Sequence, residues 1–107
     1  VNISQALKVD NEFIPDVFAL HQNYPNPFNP VTNIVYDIPE TSEVKITIYN
    51  ITGQNVRTLA QGQHEPGRYR VQWNATNDYG NPLSSGMYIY RIHAGDFVSV
   101  KKLILMK

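Results

Sequence analysis

From Ile34 onward the apolar residues of this chain recur at every second position, and β-branched and aromatic types dominate among them. Successive side chains of a strand point to opposite faces, so this period predicts a series of strands with one buried face each and argues against helices. Ile34, Tyr36 and Ile38 share one such face. After a turn at Pro39 to Glu43, "SEVKITIYN" sets Val44, Ile46 and Ile48 inward and Lys45, Thr47 and Tyr49 outward. "ITGQN" reads as a short hairpin connection in which Gly53 supplies a positive φ, the return strand carries Val56 and Leu59, and "GQHEPG" closes it with another turn.

"RYRVQWN" places Tyr69, Val71 and Trp73 opposite Arg68, Arg70 and Gln72, with Trp73 the expected centre of the core. A longer connection, "NATNDYGNPLSSG", leads to "MYIYRIHA", where Tyr88, Tyr90 and Ile92 oppose Met87, Ile89 and Arg91. Gly95-Asp96 then forms a two-residue hairpin signal before the last run, "FVSVKKLILMK". About seven short strands, with turn signals about every eight to twelve residues, predict an all-β fold: an immunoglobulin-like antiparallel β-sandwich. Residues 1–17, "VNISQALKVDNEFIPDV", hold no sustained period and are read as a linker or irregular lead-in strand from an upstream domain, with the sandwich occupying residues 18–107.

One segment is stiff by composition. "NYPNPFNP", Asn23 to Pro30, carries three prolines, each of which fixes φ and removes a backbone donor, so the loop has little conformational freedom to lose on folding. The asparagines of the loop, Asn23, Asn26 and Asn29, are expected to replace the missing bonds by bonding their own backbone, as Asn-Pro turns do. The aromatic residues Tyr24 and Phe28 are expected to anchor the loop on apolar surface, held by Pro25, Pro27 and Pro30. Two roles are open to it: a structural cover over one end of the core, which is the reading adopted, or a docking loop for a partner.

At 107 residues the chain suits one domain that buries roughly two-thirds of its unfolded surface. Nine basic and nine acidic residues leave a formal charge of zero, which removes the electrostatic footprint of a nucleic-acid binder. Without cysteine there is neither a disulfide framework nor a thiolate metal site. No stretch approaches the length of a membrane span, and a first residue of Val1 reads as a piece of a longer protein whose signal peptide would lie upstream.

Catalytic chemistry is thinly represented. His21, His64 and His93 lie in separate segments without metal-ligand spacing, and each is expected to be solvated. Ser84 and Ser85 lack a nucleophile-elbow pattern, and Asp78 in "NATNDYGN" lacks the spaced acidic ligands of a calcium loop, so both segments read as strand connections. No motif calls for a cofactor or metal, and no enzyme activity is expected. A sugar-stacking platform is disfavoured because Trp73, Tyr69, Tyr36, Tyr88 and Tyr90 alternate as core positions, leaving Tyr49 and Tyr79. The Asn-x-Ser/Thr sites at Asn2, Asn50 and Asn74 are too short a motif to imply glycosylation. The last segment stands apart: after Asp96 no acidic side chain occurs, and Lys101, Lys102 and Lys107 surround the apolar stretch Leu103 to Met106. Such a run is either an edge strand protected by lysines or a strand that another protein takes up by strand addition.

The stretches "LHQNYPNPFNPVTNIVYDIP", "VKITIYNITGQNVRTL", "GRYRVQWN…GNPLSSGMYIYRI" and "AGDFVSVKKLILMK", in that order, resemble the type A C-terminal sorting domain of the type IX (Por) secretion system. They are also similar to the related immunoglobulin-like domain of the flagellar hook-capping protein. The resemblance covers residues 18–107 and implies a non-catalytic sandwich at the end of a secreted enzyme or adhesin. After Sec export such a domain is read by an outer-membrane translocon, which delivers the cargo to the cell surface or medium. It carries the sorting signal over to Gly95, Lys101, Lys102, Leu103, Leu105 and Lys107. "WNATNDYG" departs from the pattern, since Asn74 and Ala75 stand where relatives carry Asp and Gly, which weakens any role for that loop. The alternatives from other classes are a carbohydrate-binding module of an extracellular enzyme and a structural, hook-cap-like module.

Overall fold

The computed structural model describes residues 6–10 and 13–107. In chain order the strands are β1 (Leu7–Asp10), β2 (Ala19–Leu20), β3 (Thr32–Ile38), β4 (Ser42–Tyr49), β5 (Asn55–His64), β6 (Gly67–Trp73), β7 (Gly86–Ala94) and β8 (Phe97–Leu105). They pair antiparallel into two sheets, β1-β6-β3-β2 and β5-β4-β7-β8, with no helix among the described residues. The fold is therefore an all-β, immunoglobulin-like sandwich, as the period of two predicts.

Alternation explains the core. Ile34, Tyr36, Ile38, Val71 and Trp73 from one sheet meet Ile46, Ile48, Tyr90 and Ile92 from the other, and all are buried. Trp73 is its aromatic centre: its ring lies 5.7 Å from both Phe28 and Tyr88, and its Nε1 donates to the Thr76 carbonyl at 2.9 Å. The buried indole thus keeps its one donor satisfied.

The structure departs from the sequence reading at four places. It has eight strands among the described residues rather than about seven. The two residues of β2 are too few to show a period, and β1 turns Leu7 and Val9 to solvent, so its pairing with β6 is a backbone matter that leaves no apolar signal. β5 continues through "GQH" to His64, and Glu65 and Pro66 alone carry the chain across to β6 in the other sheet. Thr47, expected outside, is buried: its cross-strand neighbours are Thr58 and Arg91, and the Arg91 guanidinium lies 5.2 Å from the centre of the Tyr49 ring, roofing that face.

His64 is the fourth departure. It is only 4% exposed, its Nε2 is 2.8 Å from the Tyr36 hydroxyl and its Nδ1 is 3.1 Å from the Gly62 carbonyl oxygen. Its ring also packs on Tyr69 at 4.5 Å. Burial holds this imidazole below its ordinary pKa, against weaker opposition from backbone hydrogen bonds and Glu43. Ala60 and His64 lie in the inward phase of β5, a signal hidden once the segment is read as a turn.

Two polar arrangements finish the sandwich. Asp37, buried on the outer side of β3, accepts from Arg68 Nε at 2.7 Å and from its Nη2 at 3.1 Å, and lies 3.1 Å from His21 Nε2. Burial opposes its ionisation, but the bonds and charges of Arg68 and His21 outweigh that and hold the carboxyl below its ordinary pKa. In the 74–85 connection, Asn77 Oδ1 accepts the amides of Tyr79 and Asn81, and Asp78 Oδ1 accepts the Thr58 amide at 3.0 Å. The Asp78 carboxylate is thereby spent on covering the edge of β5.

Candidate functional site

β8 lies at the edge of its sheet, and the proline loop lies along part of that edge. In the two-residue hairpin before it, Ala94 pairs with Phe97 and Gly95 takes φ 58°, the left-handed conformation that glycine adopts without a Cβ penalty. The register with β7 then runs unbroken to Leu105. Odd-numbered residues of β8 bond to β7, and even-numbered ones turn their backbone groups to the open side.

The proline loop meets that open side at its far end. Phe28 N donates to the Ile104 carbonyl and the Phe28 carbonyl accepts from Met106 N, both at 2.9 Å, forming a parallel bridge beside Leu105. Asn26 Oδ1 accepts the Ile104 amide at 2.9 Å, and Gln22 Nε2 donates to the Lys102 carbonyl at 2.8 Å. The expectation that each asparagine serves its own backbone thus holds for Asn23, which bonds the Pro25 carbonyl, but not for Asn26, which reaches across to another strand.

The loop is itself tied down from within. The Tyr90 hydroxyl donates to the His21 carbonyl at 2.7 Å and accepts the Asn23 amide at 2.8 Å. Burial pushes the Tyr90 phenol up to about 12, against a smaller opposing effect of the Asn23 bond, so it stays a neutral donor throughout the physiological range. Asn23 Nδ2 donates to Thr32 Oγ1, whose hydroxyl in turn donates to the Pro25 carbonyl. All three X-Pro bonds of the loop are cis.

The sequence-derived residues separate by placement. Phe28 is the anchor expected of it, 2% exposed, but Tyr24 is 78% exposed and outside the core: its backbone pairs with Asn33, and the residue lines a surface cleft with His21 and Arg70. Pro25, Pro27 and Pro30 also face solvent. In the last strand Leu103 and Leu105 are core residues, Lys101 is half-buried, and Lys102 and Lys107 are exposed. What β8 and the residue after it turn outward is therefore Val98, Val100, Lys102, Ile104 and Met106, of which only Lys102 stands among the sequence-derived site residues. Their even phase in the strand was the available signal. Among the described residues no three or more His, Asp or Glu side chains gather closely enough to hold a metal ion.

A family model for the FlgD Ig-like domain matches residues 31–96. No curated protein matches the chain. Among solved structures, the crystal structure of dimeric latent PorU from Porphyromonas gingivalis superposes at a TM-score of 0.68 with 22% identity, covering 92% of this chain and 10% of that one. PorZ of the same organism, described as an essential bacterial surface component of the type-IX secretion system, superposes at 0.56 with 21% identity, covering 86% of this chain and 12% of its own. The chain thus spans about a tenth of the length of these proteins. At such identities the likeness is one of fold, and the family match stops short of both the proline loop and β8.

Proposed function

Since the chain belongs to the FlgD Ig-like domain family, we propose that it works as a non-catalytic immunoglobulin-like module, specifically a type A C-terminal sorting domain, which directs a larger secreted protein through the type IX secretion system. The observation that carries this reading is the state of β8: an edge strand whose exposed row joins Lys102 to Ile104 and Met106, displayed where an outer-membrane component can meet it. The fold shared with PorU and PorZ supports it, the latter being described as part of that system. The cargo, an enzyme or adhesin, lies upstream in the same chain, and the product reaches the cell surface or medium through the periplasm. Fold alone never assigns a role, so the weight rests on the strand.

The test is export. A fluorescent reporter carrying a Sec signal is fused ahead of the chain in a bacterium with a type IX system, and Lys102→Glu with Lys107→Glu is compared with the unaltered domain. Both side chains are exposed, so the double variant is expected to fold normally while its reporter is held in the periplasm. Equal export of the two fusions, by cells that also export a native cargo, would leave the structural or carbohydrate-binding module as the better reading.

A further inference from the structure

The edge of β8 is only half covered. The loop and Gln22 occupy the Lys102 carbonyl, both backbone groups of Ile104 and the amide of Met106. Val98 and Val100 have the same phase, so their amides and carbonyls point to the same open side, where no bond reaches them from the described residues. Their side chains stand 53% and 54% exposed on the outer face, in one row with Lys102, Ile104 and Met106. Across the β7 register this row meets His93, Arg91, Ile89 and Met87. β7 and β8 together hold Arg91, Lys101 and Lys102 and no acidic residue, although the whole chain is neutral. An open edge beside an apolar row is ordinarily blunted by a bulge or a covering loop. Here the register is regular and the hydrogen-bonded cover stops at Lys102; toward the hairpin β2 comes close and Phe18 stacks on Phe97 at 5.2 Å, without bonding the Val98 and Val100 backbone.

We propose that Val98 to Lys102 is a strand-addition site for an extended partner segment in which apolar and acidic side chains alternate. Backbone bonds to Val98, Val100 and the free Lys102 amide would hold the segment, its apolar side chains would lie on the valine row, and its carboxylates would meet Lys102 and Arg91. The proline loop sets the limit of the site: an added strand runs along the hairpin half of β8 and stops where Gln22 begins. The inference rests on the reading of β8 as the recognised element and adds the chemistry of what recognises it.

The probe is an octapeptide alternating valine and glutamate, with an alternating valine and lysine peptide as control, titrated into the isotope-labelled chain and followed by amide shifts and hydrogen exchange. The Val-Glu peptide is expected to protect the Val98, Val100 and Lys102 amides, and the Val-Lys peptide to leave them unchanged. Val100→Pro removes an amide that points away from β7, a position where an edge strand tolerates proline, and is expected to abolish binding. Lys102→Glu turns an attraction into a repulsion and is expected to weaken binding about tenfold. Equal binding of both peptides, no binding, shifts without protection at these three amides, or protection that grows with protein concentration in the absence of peptide would each overturn the proposal; the last would mark the edge as a self-association site. Binding and export are read separately. A chain that binds the Val-Glu peptide but directs no export loses the sorting role and keeps this site, whereas one that directs export without binding the peptide loses this site alone.

Discussion

His64 shows how much a single side chain decides. It is neutral in the fold because burial disfavours its charge, and its folded pKa lies below the ordinary 6.5 that the unfolded chain displays. The unfolded state therefore binds the extra proton first, so stability is fully present above about pH 6.5 and falls as the pH drops from there toward the folded pKa. We expect the melting temperature to fall between pH 7 and pH 5, and to fall less in His64→Gln; equal slopes in the two proteins would remove His64 from the account. Asp37 works in a lower window: its depressed pKa contributes stability that is present above the ordinary 3.8 and lost as the pH falls through the folded value. Neither role was legible in the sequence. A histidine in "GQHEPG" carries the marks of a turn, and the Asp37 to Arg68 pair joins residues on two strands whose register no local pattern states.

At the scale of elements, the loop and β8 behave as one unit. Phe28 brings a ring to Trp73, one backbone bond to Ile104 of β8 and one to Met106 just beyond it, while Asn26 brings a single bond to the Ile104 amide. Phe28→Ala should cost about 3–5 kcal/mol of stability through the lost ring and the cavity left behind. Asn26→Ala should cost about 1 kcal/mol and speed hydrogen exchange at the Ile104 amide while leaving the amides of β4 as they were. Uniform acceleration through both sheets would show that Asn26 acts on the whole fold and not on the edge. The stiffness of this loop could be read from its prolines, and its anchor from Phe28. Its target could not, because the strand it covers lies at the other end of the chain and the meeting leaves no trace in either segment alone.

For the molecule as a whole, most strands were legible because a half-buried strand writes its geometry as a period of two, and the Gly95 hairpin because few residues fit its first central position. The partition into sheets was not. The connections from β3 to β4 and from β5 to β6 are short enough to pass for hairpins, yet each carries the chain from one sheet to the other. This architecture makes residues 103–107 part of the core's closure rather than a tail. Deleting them removes two buried leucines, each worth about 2–5 kcal/mol, from a domain whose total stability is about 5–15 kcal/mol. We expect the shortened chain to lose both cooperative melting and the near-ultraviolet circular dichroism of Trp73; retention of both would show that Phe28 and Trp73 hold without β8. Because Phe28 waits for Ile104 and Met106, a ribosome making this domain delivers the lid long before the rim it seats on. A translation product that includes Trp73 but stops short of Leu105 is therefore expected to display an unsealed aromatic core, which a protease can tell apart from the finished domain.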